Sequence, residues 1–460
     1  MTTNAGCALF LAAGLVLGSN AGWAAPRAGA VTPPPIDGEL LPVAKAPAPS
    51  DPTEQSESCS SSAQPAKPEA ALVRNGLDLR SLWQLSRGTG QTVAVIDTGV
   101  ARHRLLPHLA PGGDYVLTGD GTQDCDGHGT VVAGIIGAAP IDREDGTFGG
   151  VAPDASVLSI RQSSNKFRRS ADSASGGVGD VETMAMAVRT AADLGATVIN
   201  ISSVACVPAD QDIGDGALGA ALAYAVDVKN VVVVAAAGNL GGAGQCDQQN
   251  PPSDPARPGT PNWDGVKFVV SPSWYDDYVL TVGSVGPDGS PSQFSLAGPW
   301  VDVAAPGEMV VALDPAGEGL IDSVPGSTDA KPISGTSYAA PVVAGIAALI
   351  RSRSPQLSAR QVMKRIEDTA HEPGAGWDPR VGEGVVDPLA AVSADDTGGA
   401  SRPRATASPL VPASAVGTDV DGRSRTFAFG GAAICVGMAA AAMTISTGRL
   451  RRRRDGVTDD

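Results

Sequence analysis

The stretch ISGTSYAAPVVAGIAALI, Ile333 to Ile350, changes character abruptly. It opens on small and polar residues, Ser334, Gly335, Thr336 and Ser337, and becomes an apolar run of helical length. Pro341 is expected in the first turn of that helix, where a missing N–H costs nothing because the first N–H groups lack partners anyway. Ser337 is then expected at a helix entrance. The unpaired N–H groups and the positive end of the helix dipole there stabilise an anion forming on or near its hydroxyl. Gly335 allows close approach of the backbone to whatever the hydroxyl attacks. Taken alone, the string also reads as the N-cap of a buried helix, so a chemical role requires a base elsewhere in the chain.

A serine hydroxyl becomes a nucleophile when a base takes its proton and a third group orients that base. The chain has four histidines, His103, His108, His128 and His371. His128 lies in Asp126-Gly127-His128-Gly129-Thr130, followed by VVAGIIG, again a short polar entry into an apolar helix. Upstream, the β-branched run TVAVID (92–97) ends on Asp97-Thr98-Gly99. A parallel strand that delivers Asp97 at its carboxyl end places the carboxylate in the crevice where α/β sheets bind ligands. The candidate catalytic residues are therefore, in chain order, Asp97, His128 and Ser337.

These segments resemble the signature blocks of the subtilisin-like serine proteases: Asp97-Thr98-Gly99, His128-Gly129-Thr130 with Val132-Ala133-Gly134, and Gly335-Thr336-Ser337 with Tyr338-Ala339-Ala340-Pro341. A fourth block, AAAGN ending at Asn239 after the run VVVV (231–234), matches as well. The resemblance spans Leu79 to Leu389. It implies an Asp97–His128–Ser337 triad, with the Asn239 amide completing an oxyanion hole. It implies peptide-bond hydrolysis with no metal and no organic cofactor. In that family a Ser-Leu-Gly stretch pairs with substrate; here the matching place reads Ser202-Ser203-Val204, so Ser202 and Ser203 are the expected substrate-binding positions and the absent glycine argues for narrower specificity.

The chain between these blocks alternates strand, loop and helix. Strands are expected at 92–97, 156–161, 197–202, 231–236, 279–285 and 300–304, and helices at 129–138, 181–194, 217–229, 338–351 and 358–370. Such alternation predicts an α/β fold with a parallel sheet and helices on both faces. With 460 residues, 42% of them apolar, there is material for one large domain and its appendages. A net charge of −16 argues against nucleic acid as a partner. The polar, Gly/Ser-rich stretch 162–180 reads as a long loop.

The appendages set the expected domain limits. Residues 1–24 read as a secretory signal, short and apolar and ending in small residues, with an uncleaved anchor as the competing reading. Residues 25–78 form a proline-rich extension, with ten prolines between Pro26 and Ala70; it is expected either disordered or extended along the protease surface. Residues 79–392 form the protease domain and 393–426 a flexible linker. Residues 427–447 carry no charge and, at about 31 Å as a helix, suffice for a transmembrane helix. The tail 448–460 begins with Arg449 and Arg451–Arg454, which favour the cytoplasmic side. Of six cysteines, Cys59, Cys125, Cys206 and Cys246 lie outside the signal and the span and allow three pairings. Cys206 and Cys246 each follow a strand at the carboxyl end of the sheet and can pair, leaving Cys59 for Cys125.

This combination resembles the mycosins, the membrane-anchored proteases of type VII secretion systems. That resemblance implies a protein or peptide substrate, partners in a type VII secretion membrane complex, and attachment to the cytoplasmic membrane through one span with the protease domain outside. Two functions are open at this stage: an endopeptidase processing secreted proteins, or a structural subunit that stabilises the secretion complex.

Overall fold

The computed structural model describes residues 31–394, apart from 63–64, 66–76, 144–145, 172–175, 242–245, 253–256, 258, 326 and 328. The expected signal, most of the linker, the 427–447 span and the tail lie outside the described residues. Among the described residues no helix is long and apolar enough to cross a membrane.

The fold is built around a strand that has no polar face. Residues 93–96 of the strand Thr92–Asp97 (β2) are completely buried, as a parallel strand covered on both sides requires. Seven parallel strands make the sheet. After β2 come Leu109–Asp114 (β3), Ser156–Arg161 (β4), Val198–Ile201 (β6), Val232–Ala236 (β8), Leu280–Val285 (β10) and Val303–Pro306 (β11). Their spatial order is β11-β10-β8-β6-β2-β4-β3. The chain first winds outward from β2 to β3 and β4, then returns to the other side of β2 for β6 and beyond. The order therefore reverses between β2 and β6, and a crevice opens at their carboxyl ends.

Strand β3 was not expected. Its sequence, Leu109-Ala-Pro-Gly-Gly-Asp114, has the composition of a turn, and it is extended because it pairs with β4 around a register shift at Pro111/Gly113. Its edge position is where a proline is tolerated. The last expected strand, 300–304, lies a few residues further on, at Val303–Pro306.

The principal helices are His128–Gly137 (α2), Val181–Asp193 (α3), Gly216–Ala223 (α4), Thr336–Arg353 (α5) and Ala359–Asp368 (α6); Leu79–Leu85 (α1) and Pro388–Ser393 (α7) complete the set named here. Helix α4 ends earlier than expected, because Tyr224–Val228 continues as a π-turn. Ser358 caps α6 reciprocally with Gln361. Helix α5 is buried almost all round and packs on α2 and on β6, β8 and β10. It starts at Thr336, so Pro341 falls in the second turn rather than the first. The carbonyl four residues before it, that of Ser337, consequently lacks the donor that residue 341 would otherwise supply.

Residues 31–62 of the proline-rich extension run mostly extended over the domain. The Val31 N–H donates to the Trp263 carbonyl at 3.3 Å. Pro47 lies so close over the β3 edge that a Cβ on Gly113 would stand 2.3 Å from it. Thr53–Gln55 (β1) then pairs antiparallel with Phe167–Arg169 (β5) of the 162–180 loop. Acidic Glu54, Asp51 and Glu57 meet basic Arg168, Arg169 and Lys166 along that seam. Cys59 is disulfide-bonded to Cys125, and Cys206 to Cys246. The Cys59–Cys125 bond closes a 66-residue separation, worth about 4 kcal/mol in the chain-entropy view.

Packing tolerances follow from α5. A Cβ on Gly345 would lie 2.6 Å from the Cβ of Val151. Gly345→Val is expected to overpack this contact by about 1–3 kcal/mol and to lower Tm by several degrees, measurable by calorimetry.

Candidate active site

Each functional side chain stands at the end of an element. Asp97 is the last residue of β2, His128 the first residue of α2, and Ser337 lies in the first turn of α5. Asn239 follows β8, and Ser202 and Ser203 follow β6. The crevice at the carboxyl ends of the sheet brings most of them together: His128, Ser202, Ser203, Asn239 and Ser337 line one cleft of about 770 Å3, together with Val204, Cys206, Ser271 and described residues of the 162–180 loop.

Asp97 is fully buried beneath the imidazole. Its Oδ1 accepts from the His128 Nδ1 at 2.7 Å and from the Thr98 N–H at 2.7 Å. A carboxylate offers only acceptors, so Nδ1 carries the proton and the Nε2 lone pair is left for the cleft. Tyr338 packs its ring 5.3 Å from the imidazole. Burial and the negative Asp97 and Asp124 push the Tyr338 phenol well above its usual range, so it stays neutral.

Ser337 Oγ donates to the Ser202 carbonyl at 3.0 Å, and Ser202 Oγ donates to the Ser337 carbonyl at 2.8 Å. The Asn239 amide is oriented by its own acceptor: Oδ1 takes the Thr336 N–H at 3.0 Å and the Thr336 hydroxyl at 3.1 Å. The backbone N–H can only donate, so the amide NH2 is turned away from it, toward the space beside Gly335. With the Ser337 N–H, which has no acceptor in the preceding turn, it forms a pair of donors suited to an oxyanion.

Two carboxylates near His128 were not singled out from the sequence. Asp124 ties together the two elements that carry Asp97 and His128. Its Oδ1 accepts from the Thr98 hydroxyl at 2.9 Å and the Gly127 N–H at 2.7 Å, and its Oδ2 from the Thr130 N–H at 2.8 Å and hydroxyl at 2.6 Å. Burial pushes Asp124 up to about 6 in spite of these bonds. Asp126 clasps the base of the 162–180 loop through the Ser164 hydroxyl and the Asn165 N–H. The available signal was an Asp just ahead of a helix N-terminus, where short carboxylates habitually bind free N–H groups.

Burial pushes the His128 pKa down, but the Asp97 charge and hydrogen bond, with the Asp124 and Asp126 charges, outweigh it and hold the pKa above 6.5. An imidazole that accepts a proton as general base must be neutral, so activity is expected to fall as pH falls through that raised pKa. The acid limb of kcat/KM is expected to have its midpoint above 6.5, and Asp126→Asn, which removes one of the supporting charges, to move that midpoint to lower pH. A pH–rate profile of both proteins checks this.

A buried carboxylate, an oriented imidazole beside it and a hydroxyl at a helix entrance, on a sheet of this strand order, define a serine peptidase of the subtilisin class. Comparison with known proteins agrees. The subtilase family (Peptidase_S8) matches residues 88–384. Mycosin-4 of Mycobacterium tuberculosis is 55% identical over 466 residues, covering the whole of both chains. The solved structure of the MycP3 protease from the type VII (ESX-3) secretion system is 44% identical and superposes with a TM-score of 0.71 over 79% of this chain and all of the other. A chain of the intact ESX-5 inner membrane complex is 41% identical, with a TM-score of 0.72 over 91% of this chain and all of its own. The chain belongs to the subtilase family of serine endopeptidases and, within it, to the mycosins.

Proposed function

We propose that the chain is a mycosin that cleaves peptide bonds of secreted proteins at a type VII secretion complex, using Asp97, His128 and Ser337. The observation that carries the reading is the pairing of His128 with the fully buried Asp97, with His128 and Ser337 lining the same cleft. In the resting arrangement the Ser337 proton points to the Ser202 carbonyl; for reaction it swings to His128 Nε2 as the oxygen attacks a peptide carbonyl. His128 passes the proton to the leaving amine, while Asp97 holds the tautomer and stabilises the imidazolium. Asn239 Nδ2 and the Ser337 N–H receive the oxyanion. Water then repeats the sequence on the acyl-enzyme.

Ser202 and Ser203 border the position of the scissile segment. In place of the family's glycine, Val204 leads directly into Ala205–Pro208 (β7), which pairs antiparallel with Phe268–Ser271 (β9) and is fastened by Cys206–Cys246. A wall stiffened in this way supports a narrow substrate range.

The site of action is the outer face of the cytoplasmic membrane. The signal (1–24), the uncharged 427–447 segment and the arginine-rich tail support a single-pass topology with the carboxyl terminus cytoplasmic. The partners in this reading are the secreted protein substrate and components of the secretion membrane complex. A second reading, that the chain mainly stabilises that complex, is favoured by one observation: a relative is a chain of an assembled ESX-5 inner membrane complex.

Ser337→Ala separates the two. Under the protease reading, fluorophosphonate labelling and substrate cleavage vanish in the variant, while the complex, followed by native electrophoresis, still assembles; a wild-type protein that never labels contradicts the protease reading. Asn239→Ala is expected to lower kcat by about 10²–10³-fold in steady-state peptide assays.

A further inference from the structure

Pro341 leaves a gap in the helix that carries the nucleophile. It has no N–H to give to the carbonyl four residues earlier, and its ring crowds that carbonyl. The carbonyl belongs to Ser337. The structure fills the gap from another element: the Ser202 hydroxyl, at the end of β6, donates to the Ser337 carbonyl at 2.8 Å. Ser202 is 3% exposed, so water does not compete freely for this bond. Asn200 Nδ2, on the fully buried Asn200, donates to Ser202 Oγ at 2.9 Å. That donation occupies a lone pair of Ser202 and leaves its proton for Ser337. The return bond, from Ser337 Oγ to the Ser202 carbonyl, is the one that reaction must break; the bond from Ser202 Oγ to the Ser337 carbonyl survives it.

We propose that Ser202 is a positioning residue whose side-chain hydroxyl stands in for the N–H that Pro341 lacks and so fixes the backbone turn presenting Ser337. This rests on the reading of Ser337 as nucleophile. The turn carries two reacting groups, the Ser337 oxygen and the Ser337 N–H, so loosening it displaces attack and oxyanion binding together. Even small displacements weigh heavily on rate because near-attack geometry is demanding. Substrate contacts made by the Ser202 backbone do not need its hydroxyl, so the effect falls on kcat more than on KM. The arrangement also explains why proline is compatible with the second turn of a buried helix: the acceptor it orphans is satisfied from β6.

The test is a rescue. In the full-length protein, Ser202→Ala is expected to lower kcat and the rate of fluorophosphonate labelling by roughly tenfold to a hundredfold, with a much smaller change in KM. In the double variant Ser202→Ala/Pro341→Ala, the alanine introduced in place of the proline has an N–H, which supplies the missing donor from within the helix, and most of the lost rate returns. Amide exchange over residues 336–340 follows the same pattern without reference to catalysis, faster in the single variant and slowed again in the double. A single variant with wild-type kcat and wild-type exchange overturns the proposal, as does a double variant no better than the single in both readouts. If the wild-type protein fails to label at all, the nucleophile reading falls, and the exchange measurements alone decide whether Ser202 holds the turn.

Discussion

A carboxylate buried completely at the end of a central strand is the constraint from which the rest of the site follows. Asp97 has no solvent, one oxygen shared by the His128 imidazole and the Thr98 N–H, and a second oxygen with no protein partner among the described residues. Burying such a group is costly unless hydrogen bonds and opposite charge compensate. The imidazole supplies both when it takes a proton, so the destabilised carboxylate becomes the driving force for a strong base. That is useful only if the imidazole cannot move away, and Asp124 prevents it by joining Thr98, beside Asp97, to Gly127 and Thr130, on either side of His128.

The sheet order supplies the second requirement. Because the winding reverses between β2 and β6, the His128 imidazole held by the buried carboxylate and the Ser202 turn border the same crevice, and α5 delivers Ser337 against that turn. The proline-rich extension belongs to this design as well. It holds the 162–180 wall through β1 and three ion pairs, and the Cys59–Cys125 bond anchors the extension three residues before His128. Exposed ion pairs contribute little singly, so the strand pairing does most of that holding, on an extension anchored by the disulfide. Asp126 grips the same loop from the active-site side.

Much of this was legible in the residues. The buried strands announced themselves as β-branched runs, and the entrances to α2 and α5 as short polar segments leading into apolar helices, so the positions of Asp97, His128 and Ser337 on their elements could be read. What could not be read depended on distant partners. The Leu109–Asp114 strand has the composition of a turn and exists by virtue of β4. Pro341 suggested a helix start nearer to it, because the donor that satisfies Ser337, the Ser202 hydroxyl, lies 135 positions away in sequence. Asp124 was silent because its role lies in four hydrogen bonds that only the folded turn assembles. The extension was open between disorder and an extended path, and its course is set by Trp263, Gly113 and β5, none of which its composition reveals.

The most direct test of the central claim is a crystal structure of the protein with a peptidyl phosphonate inhibitor. The expected result is a covalent bond from Ser337 Oγ to phosphorus, the phosphoryl oxygen held by Asn239 Nδ2 and the Ser337 N–H, and His128 still bonded through Nδ1 to a buried Asp97. An unreacted Ser337, or an imidazole turned away from Asp97 in the complex, would contradict it.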